Sequence, residues 1–339
     1  MKACILTDPY QFELVDIPVP RLGTEEVLIR VRCVGICGTD VAVYRGDYKA
    51  KDRIILGHEY SGEVLDVGRG VRRFKAGDFV ASAASWGCGA CFWCEAGQPS
   101  YCERPNMLGR TVDGSLAEYI AMDERHLYRL AKTVTPLEGQ AVVGLATALR
   151  AVDRSGLKVG GHVLIFGPGY SGLTILQLCK MAGAKVGMIG TREERLTLSK
   201  ELGADFTENV KGSPGREKEM LKISGGHGFD ICIEAAGTAS AFLSALRLVK
   251  KGGTVVEFGT SIDLIDGLPQ KDFYSREISI VGSKGGYGFY RKAIELLESH
   301  QIRIEPLITH TFTLEETPKA FEVMDRRLDK VIRAAVAVS

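Results

Sequence analysis

The sequence predicts an α/β chain in two parts, and three observations carry that prediction. Up to about residue 130, short runs of alternating apolar and polar residues are separated by glycine and proline, the period-2 texture of strands and turns. From His162 onward, apolar runs alternate with helical stretches, the pattern of a parallel sheet with crossover helices. Gly160-Gly161 marks the change. The 339 residues are enough for two domains of roughly 100–200 residues each.

Composition narrows the function. Apolar content of 45% and charged content of 25% are those of an ordinary globular chain. Lys and Arg number 43 against 42 Asp and Glu, a net charge of +1, so neither nucleic acid nor an anionic membrane is expected as partner. No apolar run approaches the ~18 residues that span a bilayer. Asp8 and Pro9 interrupt the N-terminus too early for a secretory signal. Nine cysteines, dominated by one cluster, point to a reduced, cytoplasmic chain that uses thiols for metal.

In chain order, strands are predicted at Lys2–Leu6, Phe12–Ile17, Val27–Val31, Ile54–Leu56, Ser61–Val67, Asp78–Ala81 and Ala117–Met122. Within Val27–Val31, Val27, Ile29 and Val31 alternate with Leu28 and Arg30, a half-buried pattern. Thr135, Pro136 and Glu138 form a capping box that opens a helix running to about Arg154. The second part predicts strands His162–Phe166, Lys185–Ile189, Phe229–Ala235, Thr254–Phe258 and Ile278–Gly282. Helices intervene near 171–182, 193–202, 214–224 and 239–250. A helix near 289–299, a β segment at Thr309–Phe312, a helix from Leu314 or Glu315 and a strand Val331–Val338 end the chain, and this β-rich end is expected to rejoin the first domain.

Three motifs carry chemistry. The first is Gly35-Ile36-Cys37-Gly38-Thr39-Asp40 with Gly57-His58-Glu59. A thiol, an imidazole and a carboxylate are ligands that suit Zn²⁺, and three protein ligands with an open fourth position make a catalytic site. Taken alone, the same residues also describe a buried cysteine beside an unrelated His-Glu pair. The second is Cys88, Cys91, Cys94 and Cys102 within a lobe at 86–104, a spacing that matches a closed structural Cys₄ zinc site better than disulfides or an iron–sulfur cluster.

The third motif is Gly167-Pro168-Gly169-Tyr170-Ser171-Gly172, a G-x-G-x-x-G that follows a strand and opens a helix. Gly167 permits the tight turn, Gly169 lets backbone approach a pyrophosphate, and Gly172 allows close helix–strand packing. The next strand ends in Gly190-Thr191-Arg192, with no carboxylate at its tip to take a ribose 2′-hydroxyl. Arg192 can clamp a 2′-phosphate, so NADP(H) is expected over NAD(H). The competing reading gives the ribose to Glu193 or Glu194.

Over nearly its full length the chain resembles the zinc-dependent medium-chain alcohol dehydrogenases, close to their polyol branch of sorbitol, galactitol-phosphate and threonine dehydrogenases. The resemblance rests on these motifs in this order, joined by Gly114–Tyr119, Phe229–Gly237 and Val249–Gly259. It implies a GroES-like, mainly-β catalytic domain from residues 1–150 and 290–339, and a Rossmann doubly wound parallel-sheet domain at 151–289. The active site would lie in the cleft between them, in a homodimer or homotetramer. It also implies that Cys37 and His58 bind catalytic zinc, that Thr39 takes the alcohol proton and that Asp40 orients His58. Glu59 would be a direct ligand or a movable carboxylate behind the ligands.

Two positions depart from the family. Val143 stands where many relatives carry a Cys or Glu that completes or braces the zinc, and Ala42 stands where many carry a proton-relaying histidine. The first favours Glu59 as the third ligand; the second sends the proton out through water or substrate hydroxyls. The implied reaction moves a hydride between a secondary alcohol, a polyol, cyclitol or amino alcohol, and a nicotinamide. The rival readings are a zinc-free quinone or enone reductase and a non-catalytic dinucleotide sensor with structural zinc only.

Overall fold

A computed structural model describes residues 1–211, 216–260, 264–268 and 270–339. The chain forms two compact units, one from Met1–Ala146 with Tyr287–Ser339 and the other from Thr147–Gly286.

In the first unit a seven-stranded sheet is built around the strand Glu26–Gly35. Val27, Ile29 and Val31 are fully buried on one face of it, as their alternation predicts. Glu26–Gly35 pairs antiparallel with Glu59–Val67, placing Gly35 opposite Glu59, and with Tyr119–Asp123. Ala334–Ala337, from the far end of the chain, also pairs antiparallel with it. The hairpin Ser85–Trp86 with Asn106–Met107 carries the cysteine lobe.

A helix that the sequence reading missed, Gly38–Arg45, follows directly on the central strand. Its Tyr44 ring packs 5.4 Å from Phe12 and 5.2 Å from Phe321, and Phe12 lies 4.8 Å from Phe321. These three aromatics dock the helix against the helix Thr317–Arg326 and fix the start of the first motif.

The capping box at Thr135 forms as expected, but the helix it opens is two pieces, Pro136–Gly139 and Val142–Ser155. The interruption falls at Gln140, whose Nε2 donates back to the Leu137 carbonyl at 2.9 Å.

The second unit is a six-stranded, wholly parallel sheet. In space its strands run Phe206–Asn209, Lys185–Gly190, His162–Phe166, Phe229–Glu234, Val249–Glu257 and Ser279–Gly282. In order of appearance this is 3-2-1-4-5-6, the doubly wound order whose switch point lies beside the first strand. The strand Phe206–Asn209 and the helix Gln270–Arg276 escaped the sequence reading. The helix expected near 214–224 is described as Glu217–Ile223, and its expected start at 214–215 lies outside the described residues.

Candidate active site

The strand Glu26–Gly35 ends at Gly35, and Cys37 caps the helix Gly38–Arg45. Asp40, at the third helical position and buried, accepts the Cys37 backbone N–H at 2.9 Å and closes the cap. Its other oxygen accepts the Gly57 N–H at 3.3 Å and lies 2.9 Å from His58 Nδ1. One carboxylate therefore ties the two halves of the motif together. In the neutral ring that a metal requires, this carboxylate favours the proton on Nδ1 and turns the Nε2 lone pair toward Cys37 and Glu59. Burial opposes a charged ring, but the Asp40 carboxylate and then Cys37 outweigh it and raise the His58 pKa well above its ordinary value.

Cys37, His58 and Glu59 bring a sulfur, a ring nitrogen and a carboxylate oxygen within 4.8 Å of one another. Thr39 Oγ1 stands 3.3 Å from His58 Nε2, and Glu59 Oε1 stands 3.8 Å from it. Glu59 Oε2 accepts from Arg333, and both side chains are 3% exposed. Gly35 leaves room for this pair: a Cβ there would fall 1.9 Å from Gln140 Oε1 and 2.6 Å from an Arg333 guanidinium nitrogen. Val143 is buried on the helix Val142–Ser155 and has no donor atom in its side chain; Ala42 lies on the helix Gly38–Arg45.

Cys88, Cys91, Cys94 and Cys102 form a second cluster with the same 4.8 Å spread. The Cys88 N–H donates to Cys102 Sγ at 3.2 Å. Backbone N–H groups of Glu103 and Cys94 lower the Cys91 thiol to about 6, and that of Ala90 lowers Cys88. Peptide dipoles aimed at these two sulfurs favour their thiolates, whereas burial raises Cys94 to about 11. All nine cysteines are free thiols.

In the second unit Gly167 has φ of 98° at the end of the strand His162–Phe166, and Gly169 caps the helix Tyr170–Met181. A Cβ on Gly172 would lie 2.0 Å from the Gly167 carbonyl oxygen, so only glycine lets this helix start so close to the turn. Gly190 ends the neighbouring strand, where a Cβ would strike Pro168 at 2.5 Å. Thr191 is exposed, and Arg192 caps the helix Glu193–Glu201.

Sequence reasoning missed Arg333, Gln140 and Arg195. Arg333 interrupts an otherwise apolar C-terminal strand segment, a signal that was readable, though its partner lies 274 positions away. Gln140 carried no motif. A guanidinium nitrogen of Arg195 lies 4.0 Å from where a Gly169 Cβ would be, which no spacing rule announces.

Residues 23–132 match the alcohol dehydrogenase GroES-like domain, and residues 172–299 match the zinc-binding dehydrogenase domain. The chain is 33% identical over 330 residues to the D-arabitol-phosphate dehydrogenase of Enterococcus avium, covering 95% of this chain and 93% of that protein. A zinc-binding dehydrogenase structure from Sinorhizobium meliloti 1021, bound to NADP, superposes with TM-score 0.92 at 29% identity and covers 99% of this chain and 98% of that one. An Escherichia coli CFT073 structure described as a short chain alcohol dehydrogenase, complexed with NADH, gives TM-score 0.92 at 27% identity and covers 99% of each. The GroES-like β unit, the parallel Rossmann sheet and these matches define a zinc-dependent dehydrogenase. The chain belongs to the medium-chain alcohol dehydrogenase family, in its polyol branch. Among the described residues no helix is long and apolar enough to cross a membrane.

Proposed function

We propose that Cys37, His58 and Glu59 hold a catalytic zinc ion, and that the chain moves a hydride between a secondary alcohol and NADP(H). The observation that carries this reading is the convergence of those three donors within 4.8 Å, a thiol, an imidazole nitrogen and a carboxylate that suit zinc. When bound, zinc supplies Lewis-acid polarisation of the substrate oxygen, and the nicotinamide supplies the hydride acceptor or donor.

The protein's own residues do the rest. Asp40 fixes the tautomer of His58 so that Nε2 can ligate. Arg333 pairs with one oxygen of Glu59 and leaves the other oxygen facing His58. The Thr39 hydroxyl, beside His58 Nε2, takes the alcohol proton. With Ala42 offering no imidazole, that proton leaves through water or through hydroxyls of the substrate. A vicinal diol, cyclitol or amino alcohol supplies such a second polar group, which makes this the favoured substrate class.

Cys88, Cys91, Cys94 and Cys102 hold the structural zinc in this reading. Gly167, Gly169 and Gly172 take the pyrophosphate at the start of the helix Tyr170–Met181. Gly190, Thr191 and Arg192 take the 2′-phosphate. Two contacts support NADP(H): the Glu193 carboxylate is occupied by Asn209 at 2.9 Å, and Arg195 lies over Gly169 as a second guanidinium. A homodimer or homotetramer is supported by the edge strand Ser279–Gly282, whose Ile280 is exposed. Nine free thiols fit a reducing, cytoplasmic setting.

The test is a screen of polyols, cyclitols, amino alcohols and simple secondary alcohols with both cofactors, following absorbance of the reduced nicotinamide alongside metal analysis. Turnover of a diol-type substrate by a protein carrying two zinc ions per chain is expected. A single zinc, retained when Cys37 is replaced, with no hydride transfer to either cofactor, overturns the reading.

A further inference from the structure

Glu234 and Glu257 end two adjacent parallel strands, Phe229–Glu234 and Val249–Glu257, and stand opposite each other in the ladder. Register partners present their side chains to the same face, so two carboxyl groups lie side by side. Glu234 is fully buried. Its Oε1 accepts the Ala236 and Gly237 backbone N–H groups at 2.8 and 2.9 Å. Its Oε2 and the Oε2 of Glu257 are both buried without a hydrogen-bond partner.

Two ionised carboxylates so placed repel each other, and the buried Oε2 of Glu257 has no donor to solvate its charge, so a proton retained on Glu257 is favoured. Burial and then the charge of Glu234 raise Glu257 to about 7; burial also raises Glu234, against the N–H groups that favour its ionised form. Among the described residues, no hydrogen bond or ion pair joins a cation to either carboxyl group. The helix Ala239–Leu248 contributes Phe242, Ala245 and Leu246 to the packed face. The helix Gln270–Arg276 carries Lys271, Asp272 and Arg276, and Arg276 is committed to the carbonyls of Leu246 and Val249 and to Asp272. On the other side Gly282 pairs with Glu257, its carbonyl accepts from Arg154, and exposed Lys284 follows Ser283. Phe166 stands opposite Glu234 on the remaining strand.

The pair bears on the glycine turn. A Cβ on Gly167 would lie 2.8 Å from the N and Cα of Ala236, the residue whose N–H Glu234 holds. Gly259 presses from behind, where a Cβ would lie 2.3 Å from Glu234 Oε2.

We propose that Glu257 keeps a proton beside the Glu234 carboxylate, and that this proton latches the loop at Ala236–Gly237 against the glycine turn, making Glu257 a positioning residue for the dinucleotide. The proposal rests on the reading of Gly167–Gly172 as the dinucleotide site. With the proton present, Glu234 braces Ala236 and Gly237; when it leaves to solvent, repulsion between the two carboxylates slackens the brace. Dinucleotide phosphates add negative charge at the turn and so favour the protonated pair, and by reciprocity the protonated pair binds dinucleotide more tightly.

The experiment measures NADH and NADPH dissociation constants by fluorescence, and thermal unfolding without cofactor, from about pH 6 to about pH 8.5 around the value of about 7. The full chain is compared with Glu257→Gln, a permanent hydrogen-bond donor, and Glu257→Asp, which keeps a titrating carboxyl. Both dissociation constants of the wild type are expected to rise about tenfold across this range, those of Glu257→Gln to stay nearly level, and Glu257→Asp to restore a slope. Because the folded chain holds this proton more tightly than the unfolded one, wild-type stability is present at low pH and lost as pH rises through about 7, a loss absent in Glu257→Gln. Parallel pH profiles for wild type and Glu257→Gln in both observables overturn the proposal. Absence of cofactor binding at every pH overturns the dinucleotide reading and the latch with it, while the unfolding profiles still decide whether Glu257 holds the proton. Should Glu257→Gln fail to fold, carbon-13 spectra of glutamate-labelled wild type decide. A carboxyl titrating near neutrality supports the pair, and titration of every glutamate in the ordinary carboxylate range overturns it.

Discussion

Arg333 and Glu59 form an ion pair in which each side chain is 3% exposed, although 274 positions separate them in the chain. The pair exists because the C-terminal strand Ala334–Ala337 lies beside Glu26–Gly35, whose other edge pairs with the strand that Glu59 opens. Removing one partner leaves the other charged and buried, which costs about 3–5 kcal/mol. Arg333→Ala is therefore expected to lower unfolding stability by that order in denaturant titrations, and Arg333→Lys by less. Wild-type stability in Arg333→Ala would show that the pair is solvated in solution.

The two donor clusters make separate predictions for metal content. Wild type is expected to carry two zinc ions per chain. Cys37→Ser is expected to lower the count to one with circular dichroism unchanged, because Cys37 sits at a helix cap and not in the packed core. Cys91→Ser is expected to remove the other ion and to destabilise the lobe, since a closed four-thiolate site contributes folding energy directly. A protein that keeps both ions in Cys37→Ser sinks the assignment of the first cluster.

The fold and the residues of the two donor clusters are legible because their signals are local. Capping residues, period-2 runs and cysteine spacings all act within a few positions. The helix Gly38–Arg45 was not, since it is short, opens on glycine and contains β-branched Val41 and Val43, which look like strand. The strand Phe206–Asn209 lies at the edge of its sheet, and its Thr, Glu and Asn leave no apolar pattern to read. Glu59 was recognised from its neighbours, whereas Arg333, its partner, depends on strand order and no local rule finds it. Glu257 was passed over for the opposite reason, as one acidic residue in an apolar strand whose importance lies in Glu234 across the ladder.

Asp40 serves three groups at once: the Cys37 N–H, the Gly57 N–H and His58 Nδ1. Asp40→Asn keeps the shape but removes the negative charge, and its amide nitrogen cannot accept. A loss of about 10–100-fold in zinc affinity is expected, as for other partners of metal-binding histidines. Competition with a chelator measures it. Unchanged affinity would mean that Asp40 only caps the helix.

Cofactor choice turns on the residues after the strand Lys185–Gly190. Lower KM for NADP⁺ than for NAD⁺ is expected in the wild type. Arg192→Ala should narrow the gap by raising KM for NADP⁺ alone, and Arg195→Ala should add to it, because a guanidinium gained for the 2′-phosphate does nothing for a ribose hydroxyl. A native preference for NAD⁺ contradicts the assignment of Gly190, Thr191 and Arg192.

Gly35 offers the sharpest steric test of the buried pair. A Cβ there would overlap Gln140 Oε1 at 1.9 Å and crowd an Arg333 nitrogen at 2.6 Å, in a stretch where backbone and partner strands leave little slack. Gly35→Ala must therefore displace Gln140, Arg333 or both, and such overpacking costs about 1–3 kcal/mol. The two contacts separate in a double variant. Gln140→Ala removes the closer clash, so Gly35→Ala combined with Gln140→Ala is expected to recover part of the lost stability and zinc content. If Arg333 is the group that matters, the recovery stays incomplete, because the added methyl still presses the guanidinium away from Glu59. Full recovery would place the whole cost on Gln140 and leave the Arg333–Glu59 pair undisturbed by the methyl group.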